Sequence, residues 1–566
     1  MKPRQTRSGS ARRAWIACAA VALGSLAAAP PAHAAFTVSG TASPTDPTSG
    51  ANSNFNISIN FGGGTSQAES VEDLTVHLPP GLVGNPGAAP LCTVAQLNGD
   101  DCPNNSQLGT VSSSVTIPAG IGLPTTVNGD LYNLVPQPGE PARFGIVLRA
   151  LPLGLGNLIL QSGARLRKDD FGLDSVVTGI PNEQDGIPIH VNSQVLTLFG
   201  EAPTGEAFLR NPTSCGTQTT GFDATSHGGE EASGESTFTL SGCQNLPFNP
   251  KLTAIIGSPE HTAPAATPPL TTIIEQKGDE AGLERAQVVL PPGVAADAAA
   301  LGNTCPLAQF QASNCPPNSI IGSAVSESPL LDVPLAGDVS IVEPPPGQLA
   351  QLGVDLKGPL AIQIRGRFIL LPGPGNVFEG LPDIPISRFE LNFAEDKLVA
   401  TTRDLCTPPP LLFSTDFTGH NGARRTGNVE GQVAGCTPNA EVKLTKAGSK
   451  HPRMKAKVEG GGSTLRKVKV KLPRQLKFAK KRAFKRGAKA TGDDGKFKKS
   501  ALKRGARSVK LNAGEDGSQK LKIKARKKAL KRVKKIKPGK SLRFPITVED
   551  VGGFTTKLKP RAEAQR

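Results

Sequence analysis

The stretch LPPGL at residues 78–82 recurs as LPPGV at residues 290–294, 212 residues further along the chain. Proline cannot donate a hydrogen bond to a β-ladder, and glycine adopts the left-handed backbone conformation that many tight turns require. Each copy therefore predicts the end of a β-strand followed by a turn. Because this structural role needs no partner, we prefer it to a proline-rich ligand motif.

Further matches in the same order extend this repeat along the chain. The matched stretches are CPNNS at 102–106 and CPPNS at 315–319, GDL at 129–131 and GDV at 337–339, IPI at 187–189 and at 384–386, and His227 and His420. The offset between the copies falls from 213 to 193 residues, which indicates shorter loops in the second copy. A weaker echo near residue 472 indicates a third, partial copy.

The repeat predicts how the chain is divided. We expect a signal peptide over residues 1–34, two β-rich repeats with two disulfides each over 35–247 and 248–438, and a basic C-terminal domain without cysteine over 439–566. Apolar and polar residues alternate within these segments, as in FELNF at 389–393. This period of two, with turn residues every eight to twelve positions or so, predicts a mainly β fold of tandem antiparallel β-sandwich, immunoglobulin-like domains with few short helices.

Residues 1–34 have the three parts of a secretory signal peptide. A basic start is followed by an apolar stretch over residues 14–29 and by a small-residue cleavage motif at Ala32-His33-Ala34. A retained membrane anchor is the less favoured alternative because the apolar stretch is short. No apolar run of about 18 residues follows, so we expect an exported chain without a membrane-spanning helix.

Eight cysteines follow the leader, and an even number in an exported chain predicts disulfides. In each copy a pair ten residues apart precedes a pair that is 28 or 30 apart. Zinc is disfavoured because structural sites space their ligands about two to four residues apart and no histidine accompanies the short pairs. We expect no metal and no cofactor. The predicted disulfides join Cys92 to Cys102, Cys215 to Cys243, Cys305 to Cys315, and Cys406 to Cys436.

The chain carries no recognisable catalytic signature: it lacks a G-x-S-x-G elbow, an H-E-x-x-H motif and a Walker loop. Its only Trp lies in the leader and Tyr132 is its only Tyr, which disfavours an aromatic platform for sugars. His227 and His420, like Asp130 and Asp338, are interpreted as turn residues rather than as metal ligands or general bases. We predict a protein that is not an enzyme, with a hydrolase on a β scaffold as an alternative.

Charge is distributed unevenly along the chain. Residues 441–566 hold 42 Lys and Arg against 9 Asp and Glu, whereas residues 35–440 carry a net charge of −21. This asymmetry indicates an anionic partner for the basic end. Few aromatic residues lie among the basic ones, which disfavours sequence-specific binding of nucleic acid. The predicted partner is an anionic cell-wall polymer or membrane surface.

Thirteen basic residues form the candidate anion-binding set. In VKVK at 468–471 and KLKIK at 520–524, the lysines would form a row on the polar face of a sheet. A denser run over residues 526–540 has two alternative interpretations: a solvated arm, or a segment that pairs with the acidic repeats. The candidates are Lys469, Lys471, Lys520, Lys522, Lys524, Arg526, Lys527, Lys528, Lys531, Arg532, Lys534, Lys535 and Lys537.

Three features together resemble a group of large exported repeat proteins of high-GC actinobacteria: the LPPGL step, the C-x9-C pair followed by proline, and CQNLPFNP at 243–250. The resemblance covers nearly all of residues 36–440, and the basic tail is similar to their C-terminal domains. It implies an extracytoplasmic repeat protein and assigns no functional residue. The second copy departs from the pattern at residues 436–439, CTPN, which lack the LPF of the first.

These observations predict a non-enzymatic protein of the cell envelope or the extracellular space, structural or adhesive in role. Its disulfide-stapled repeats would form a rigid rod, and its basic domain would bind an anionic surface. The first alternative is a ligand-binding module formed by the acidic repeats, through the His227 and His420 loops or a groove between the copies. The second is the hydrolase.

Overall fold

The computed structural model describes residues 35–64, 66–117, 123–150, 155–526 and 528–565. The predicted signal peptide and Lys527 lie outside the described residues. Strands make up 49% of the residues and helices 7%, which confirms the mainly β, antiparallel fold with few short helices. In the described ranges the α-helices are short: α1 (Val94–Asn98), α2 (Leu307–Gln311) and α3 (Lys481–Gly487). None of the helices in these ranges is long and apolar enough to cross a membrane.

The described part of the first repeat contains fifteen strands: β1 (Thr37–Pro44), β2 (Phe55–Gly62), β3 (Val71–His77), β4 (Val83–Gly84), β5 (Gln107–Thr116), β6 (Thr125–Leu134), β7 (Arg143–Arg149), β8 (Leu158–Leu166), β9 (Leu173–Val177), β10 (Glu183–Gln184), β11 (Ile187–Pro188), β12 (His190–Leu198), β13 (Leu209–Arg210), β14 (Gly216–Ser226) and β15 (Glu231–Leu240). Eleven of them form one antiparallel sheet in the order β1-β2-β12-β5-β6-β7-β8-β9-β3-β14-β15. The edge strands β1 and β15 meet where Ala42 N donates to Ser236 Oγ at 2.9 Å. The sheet therefore curls back on itself around an apolar interior.

The second repeat has the same plan. Its strands within the described residues are β16 (Lys251–Ile256), β17 (Leu270–Glu275), β18 (Leu283–Val289), β19 (Val294–Ala296), β20 (Ile320–Glu327), β21 (Leu335–Val342), β22 (Gln351–Lys357), β23 (Ile362–Ile369), β24 (Gly375–Phe378), β25 (Arg388–Phe393), β26 (Val399–Thr401), β27 (Leu412–Gly419), β28 (Arg424–Glu430) and β29 (Gln432–Val433). Twelve form one sheet in the order β28-β27-β18-β24-β23-β22-β21-β20-β25-β17-β16-β29. Because β28 runs on into β29, which pairs with β16 at the far edge, this sheet also returns on itself.

The two LPPG steps occupy the same place in both sheets. Leu78 follows β3, and Leu290 follows β18. Gly81 and Gly293 have φ angles of 86° and 94°, in the left-handed region that favours glycine. Each step therefore ends a strand in a tight turn, as the sequence predicts.

The C-terminal domain is built from two sheets that face each other. Its strands among the described residues are β30 (Asn439–Thr445), β31 (Arg453–Glu459), β32 (Leu465–Lys471), β33 (Leu476–Phe478), β34 (Ala488–Gly492), β35 (Gly495–Lys496), β36 (Leu502–Arg504), β37 (Ser508–Asn512), β38 (Lys520–Ala525), β39 (Leu530–Arg532), β40 (Ser541–Arg543), β41 (Ile546–Asp550), β42 (Thr555–Leu558) and β43 (Arg561–Glu563). One sheet has the order β30-β31-β38-β34-β35 and the other β36-β37-β32-β41-β42.

Most buried apolar side chains fall into three clusters, within residues 36–224, 248–436 and 442–564. Leu166 and Phe171, from the hairpin between β8 and β9, pack against the second of these clusters. The interiors of the two repeats are therefore in direct contact.

Buried hydrogen bonds hold both junctions between domains. At the first, the backbone N and Oγ1 of Thr213 donate to the Asp383 carboxylate at 2.7 and 2.5 Å. At the second, Gly435 N donates to Asp550 Oδ2 at 2.8 Å and Cys436 N donates to Ser463 Oγ at 2.7 Å. These contacts oppose bending at the junctions.

The four disulfides join neighbouring cysteines within each copy: Cys92–Cys102, Cys215–Cys243, Cys305–Cys315 and Cys406–Cys436. This is the pairing that the spacing predicts. Each short bridge encloses a helix of the repeat, α1 in the first copy and α2 in the second.

Candidate anion-binding surface

The lysines of the two alternating stretches lie on the outer faces of the C-terminal domain. The apolar side chains of β32 and β38 are buried in its core, and the lysines between them point away from it. However, β32 and β38 belong to different sheets. Lys469 and Lys471 therefore lie on one face of the domain, and Lys520, Lys522 and Lys524 lie on the opposite face.

Neighbouring strands align further lysines with Lys469. On one side of Lys469, Lys510 of β37 lies directly opposite it, and Lys503 of β36 lies opposite Lys510. On the other side, Thr547 of β41 lies opposite Lys469, and Lys557 of β42 lies opposite Thr547. Residues directly opposite each other share a face, and adjacent strands are about 4.8 Å apart. We call these four lysines, Lys503, Lys510, Lys469 and Lys557, the first lysine row.

The other sheet carries a matching arrangement. Lys443 lies opposite Lys455, Lys455 opposite Lys524, and Lys524 opposite Lys489. These four lysines form the second lysine row. The end members of both rows are exposed, and the central Lys469 and Lys524 are half-buried.

Like charges that face each other directly across strands destabilise a sheet. Among the described residues, Lys443 alone in these rows has a carboxylate within ion-pair distance, that of Glu441 at 3.1 Å. The rows are therefore a cost to folding that the domain itself does not offset. A row of ammonium groups at strand spacing is suited to a polyanion or a surface of anionic headgroups.

The dense basic run is part of the folded domain. β39 pairs with β33, and Leu530 and Ile536 are buried in the core. The Arg532 side chain donates to the Gly448 carbonyl. A solvated arm is therefore the wrong interpretation for the described part of this run. Its exposed cations within the described residues are Arg526, Lys528, Lys531, Lys534, Lys535, Lys537 and Lys540.

The acidic repeats do not neutralise the C-terminal domain through ion pairs within the described residues. The pairs found in this domain are internal to it: Lys443–Glu441, Lys457–Glu459, Arg466–Glu515 and Lys467–Glu549. The interpretation that the basic run pairs with the acidic body therefore has no support in this part of the chain.

The repeat histidines have the same structural contact in both copies. His227 Nε2 lies 2.8 Å from the Ile180 carbonyl oxygen, and His420 Nε2 lies 2.8 Å from that of Leu381. Each ring thus ties its loop to a neighbouring segment. The interpretation of Asp130 and Asp338 as turn residues is wrong, because both lie within strands, β6 and β21. Asp130 accepts a hydrogen bond from Arg149 Nη1 at 2.6 Å, whereas Asp338 is exposed.

Sequence reasoning missed a histidine between two carboxylates in the first repeat. His77 Nδ1 lies 2.8 Å from Asp174 Oδ1, and His77 Nε2 lies 2.8 Å from Asp223 Oδ2. Burial disfavours the charged ring, but hydrogen bonds to Asp223 and Asp174 outweigh this, and the pKa of His77 is raised. Because both ring nitrogens are engaged, this histidine has no position left for a substrate proton. The two aspartates are 97 and 146 residues from His77, so no local motif marks the cluster.

The part of the chain that the structure describes holds no group of three or more His, Cys, Asp or Glu residues arranged to hold a metal ion. These features define a mainly β protein of tandem, disulfide-linked antiparallel domains with a cationic C-terminal end. No protein-family model matches the chain, and no curated protein matches it.

Similar solved structures include domains of bacterial surface proteins. The C-terminal domain of the Streptococcus agalactiae AgI/II polypeptide BspA is 11% identical, with a TM-score of 0.17, and the match covers 55% of this chain and 100% of that chain. The Enterococcus faecalis MSCRAMM ACE is 8% identical, with a TM-score of 0.18, covering 57% and 95%. A tetra-tandem repeat from the extending region of a large adhesion protein is 10% identical, with a TM-score of 0.15, covering 94% and 99%. At these TM-scores the likeness carries no argument about function.

Proposed function

We propose that this chain is a non-enzymatic, exported protein of the cell envelope, structural or adhesive in role, whose C-terminal domain binds an anionic wall polymer or membrane surface. The observation that carries the proposal is the pair of lysine rows. Three lysines of the first row and all four of the second lie opposite one another on adjacent strands, at a cost to stability that an anionic partner would remove.

The resemblance to exported actinobacterial repeat proteins supports the same location, as do the four disulfides. Disulfides persist in oxidising compartments outside the cytoplasm. In this proposal the two repeats act as a stiff spacer, because buried hydrogen bonds at Thr213 and Cys436 hold both junctions. The acidic repeats are repelled by the surface that the basic domain binds, which favours an extended arrangement away from it.

Co-sedimentation of the full chain with phosphatidylglycerol vesicles, and separately with washed cell walls, tests the proposal across a salt series. We expect binding that weakens steeply as salt rises, because the attraction is between charges at a surface. A chain that ignores both partners at low salt would contradict the anchoring role.

A triple variant locates the binding surface. Lys503→Gln, Lys510→Gln and Lys469→Gln together remove three charges of the first lysine row, and we expect at least a tenfold loss of affinity. The matched control replaces Lys251, Lys277 and Lys357 of the acidic repeats with Gln, which changes net charge equally. If both triple variants lose the same affinity, binding follows net charge and the rows are not the site.

A further inference from the structure

An apolar cavity of about 300 Å³ extends through the interiors of both repeats. Leu78 and Phe144 line it in the first repeat, and Leu290 and Phe378 line it in the second. Protein interiors have few voids larger than a water molecule. An apolar cavity of roughly 150 Å³ stays dry and can take up benzene. A cavity about twice that volume has room for a larger apolar ligand.

The cavity passes from one repeat into the other. Leu166 and Phe171 line it from the first repeat and also pack against the core of the second. An interior that crosses this junction matches a long, narrow ligand better than a compact ring. The chemical class with this shape and no polarity along its length is the acyl chain.

One polar side chain of the lining is unpartnered. Both Asn376 Nδ2 and Asn376 Oδ1 are buried and have no hydrogen-bond partner among the described residues. Asn376 lies on β24, opposite Val288 of β18 and Phe368 of β23, so its immediate neighbours across the sheet are apolar. A buried amide without partners is unfavourable unless something else satisfies it.

The first repeat satisfies the equivalent position internally. Ser175 lies opposite Val76, as Asn376 lies opposite Val288, and its hydroxyl is 2.7 Å from Ser162 Oγ. Ser175 and Asn376 both line the cavity. The unpaired amide is thus a property of the second repeat and not of the repeat plan.

Two exposed leucines lie in the hairpin that precedes Asn376. The hairpin from β23 to β24 presents Leu370 and Leu371 to solvent, and they are 66% and 86% exposed. Asn376 is the second residue of the strand that follows. An acyl chain that entered here would pass these leucines and leave its oxygen-bearing end near the amide.

We propose that this cavity binds the acyl chain of a fatty acid or lipid, and that the Asn376 amide donates a hydrogen bond to its carboxyl or ester oxygen. The site lies in the acidic repeats and uses none of the lysine rows. The proposed acyl-chain site is therefore independent of the anchoring role of the C-terminal domain, and the failure of either proposal leaves the other unchanged.

The single Trp of the chain makes a direct test possible. In the full chain carrying Trp15→Phe, Phe368→Trp places one fluorescent reporter in the cavity lining. Phe554→Trp places one at a partly exposed site of the C-terminal domain as a control. We expect 9,10-dibromostearate to quench the cavity reporter saturably and the control weakly, and stearate to displace it. Equal quenching of both reporters, or none in the cavity, would overturn the proposal.

A second variant tests the amide. Asn376→Leu, added to the cavity reporter, is expected to weaken dibromostearate binding about tenfold, because one buried hydrogen bond is lost while the apolar lining remains. The control is Asn428→Leu on the exposed strand β28. Unchanged affinity in Asn376→Leu would remove the assigned role of this residue.

Vesicles of phosphatidylglycerol with dibromostearoyl chains distinguish the two sources of the acyl chain. Quenching of the cavity reporter by these vesicles identifies a lipid chain, and quenching by the free acid alone identifies a fatty acid.

Discussion

Basic side chains have opposite surroundings in the repeats and in the C-terminal domain. In the first repeat Arg149 lies between Asp100 and Asp130, at 2.7 and 2.6 Å, and in the second Arg285 lies between Glu379 and Asp416. In the C-terminal domain, by contrast, lysines lie opposite lysines on both faces. The same sheet geometry thus carries paired charges in the repeats and rows of like charges in the basic domain, and in the proposed function an anionic partner would contact these rows.

The largest expected difference between the two regions concerns the disulfides. Cys215→Ser with Cys243→Ser opens a loop of 28 residues in the first repeat. On the chain-entropy estimate this lowers the free energy of unfolding of that repeat by about 3.5 kcal/mol. Hydrogen exchange read by mass spectrometry, resolved along the chain, would measure the loss separately for each region.

The C-terminal domain is the internal control for this experiment, because residues 439–566 contain no cysteine. Its exchange rates are expected to remain unchanged in the double variant. Equal loss of protection in both regions would mean that the chain unfolds as one unit and that the comparison between regions does not extend to stability.

The next effect tests the paired charges. Arg149→Gln leaves Asp100 and Asp130 without their shared partner, and hydrogen bonds to these carboxylates raise the pKa of the guanidinium in the native chain. We expect a loss of about 1–2 kcal/mol, near the lower end for charged hydrogen bonds because the cluster is partly exposed. Arg424→Gln, which breaks a more exposed pair with Asp416, should lower the free energy of unfolding clearly less. Urea titrations of both variants would measure the two losses. Equal losses would assign no special role to the Arg149 cluster.

Features that depend on local sequence patterns could be predicted, whereas features that depend on the pairing of distant segments could not. The alternation of valine and lysine at residues 468–471 predicts which side chains face outward, because that depends only on the period of a strand. The repeat spacing predicts the disulfides for a similar reason. The position of Lys510 opposite Lys469 depends on strand register, which no short stretch encodes. The apolar cavity is harder still to predict from the sequence, because it forms where side chains from distant segments do not pack against each other.

A smaller effect, here a gain in the free energy of unfolding, tests the lysine rows. Lys510→Gln removes the charge that lies between Lys503 and Lys469, and we expect the C-terminal domain to gain about 0.5 kcal/mol in its free energy of unfolding. The gain should shrink as salt rises, because salt screens exposed charges. The control is Lys467→Gln, which removes a lysine paired with Glu549 and should bring no gain. A loss of stability in Lys510→Gln would show that the row is tolerated without cost.

The smallest expected effect is a pH dependence of the first repeat, and it arises from His77. Its folded-state pKa is raised, so its charged form is bound more favourably in the folded chain than in the unfolded one. This contribution is fully present below the ordinary histidine pKa of about 6.5 and is lost as pH rises through the raised value. Urea titrations of the first repeat between about pH 6 and pH 9 should therefore show falling stability in the native chain and a flatter profile in His77→Gln. Asp223→Asn keeps the ring and one carboxylate, that of Asp174, so an intermediate slope is expected; a slope as steep as in the native chain would mean that Asp223 does not contribute to the shift.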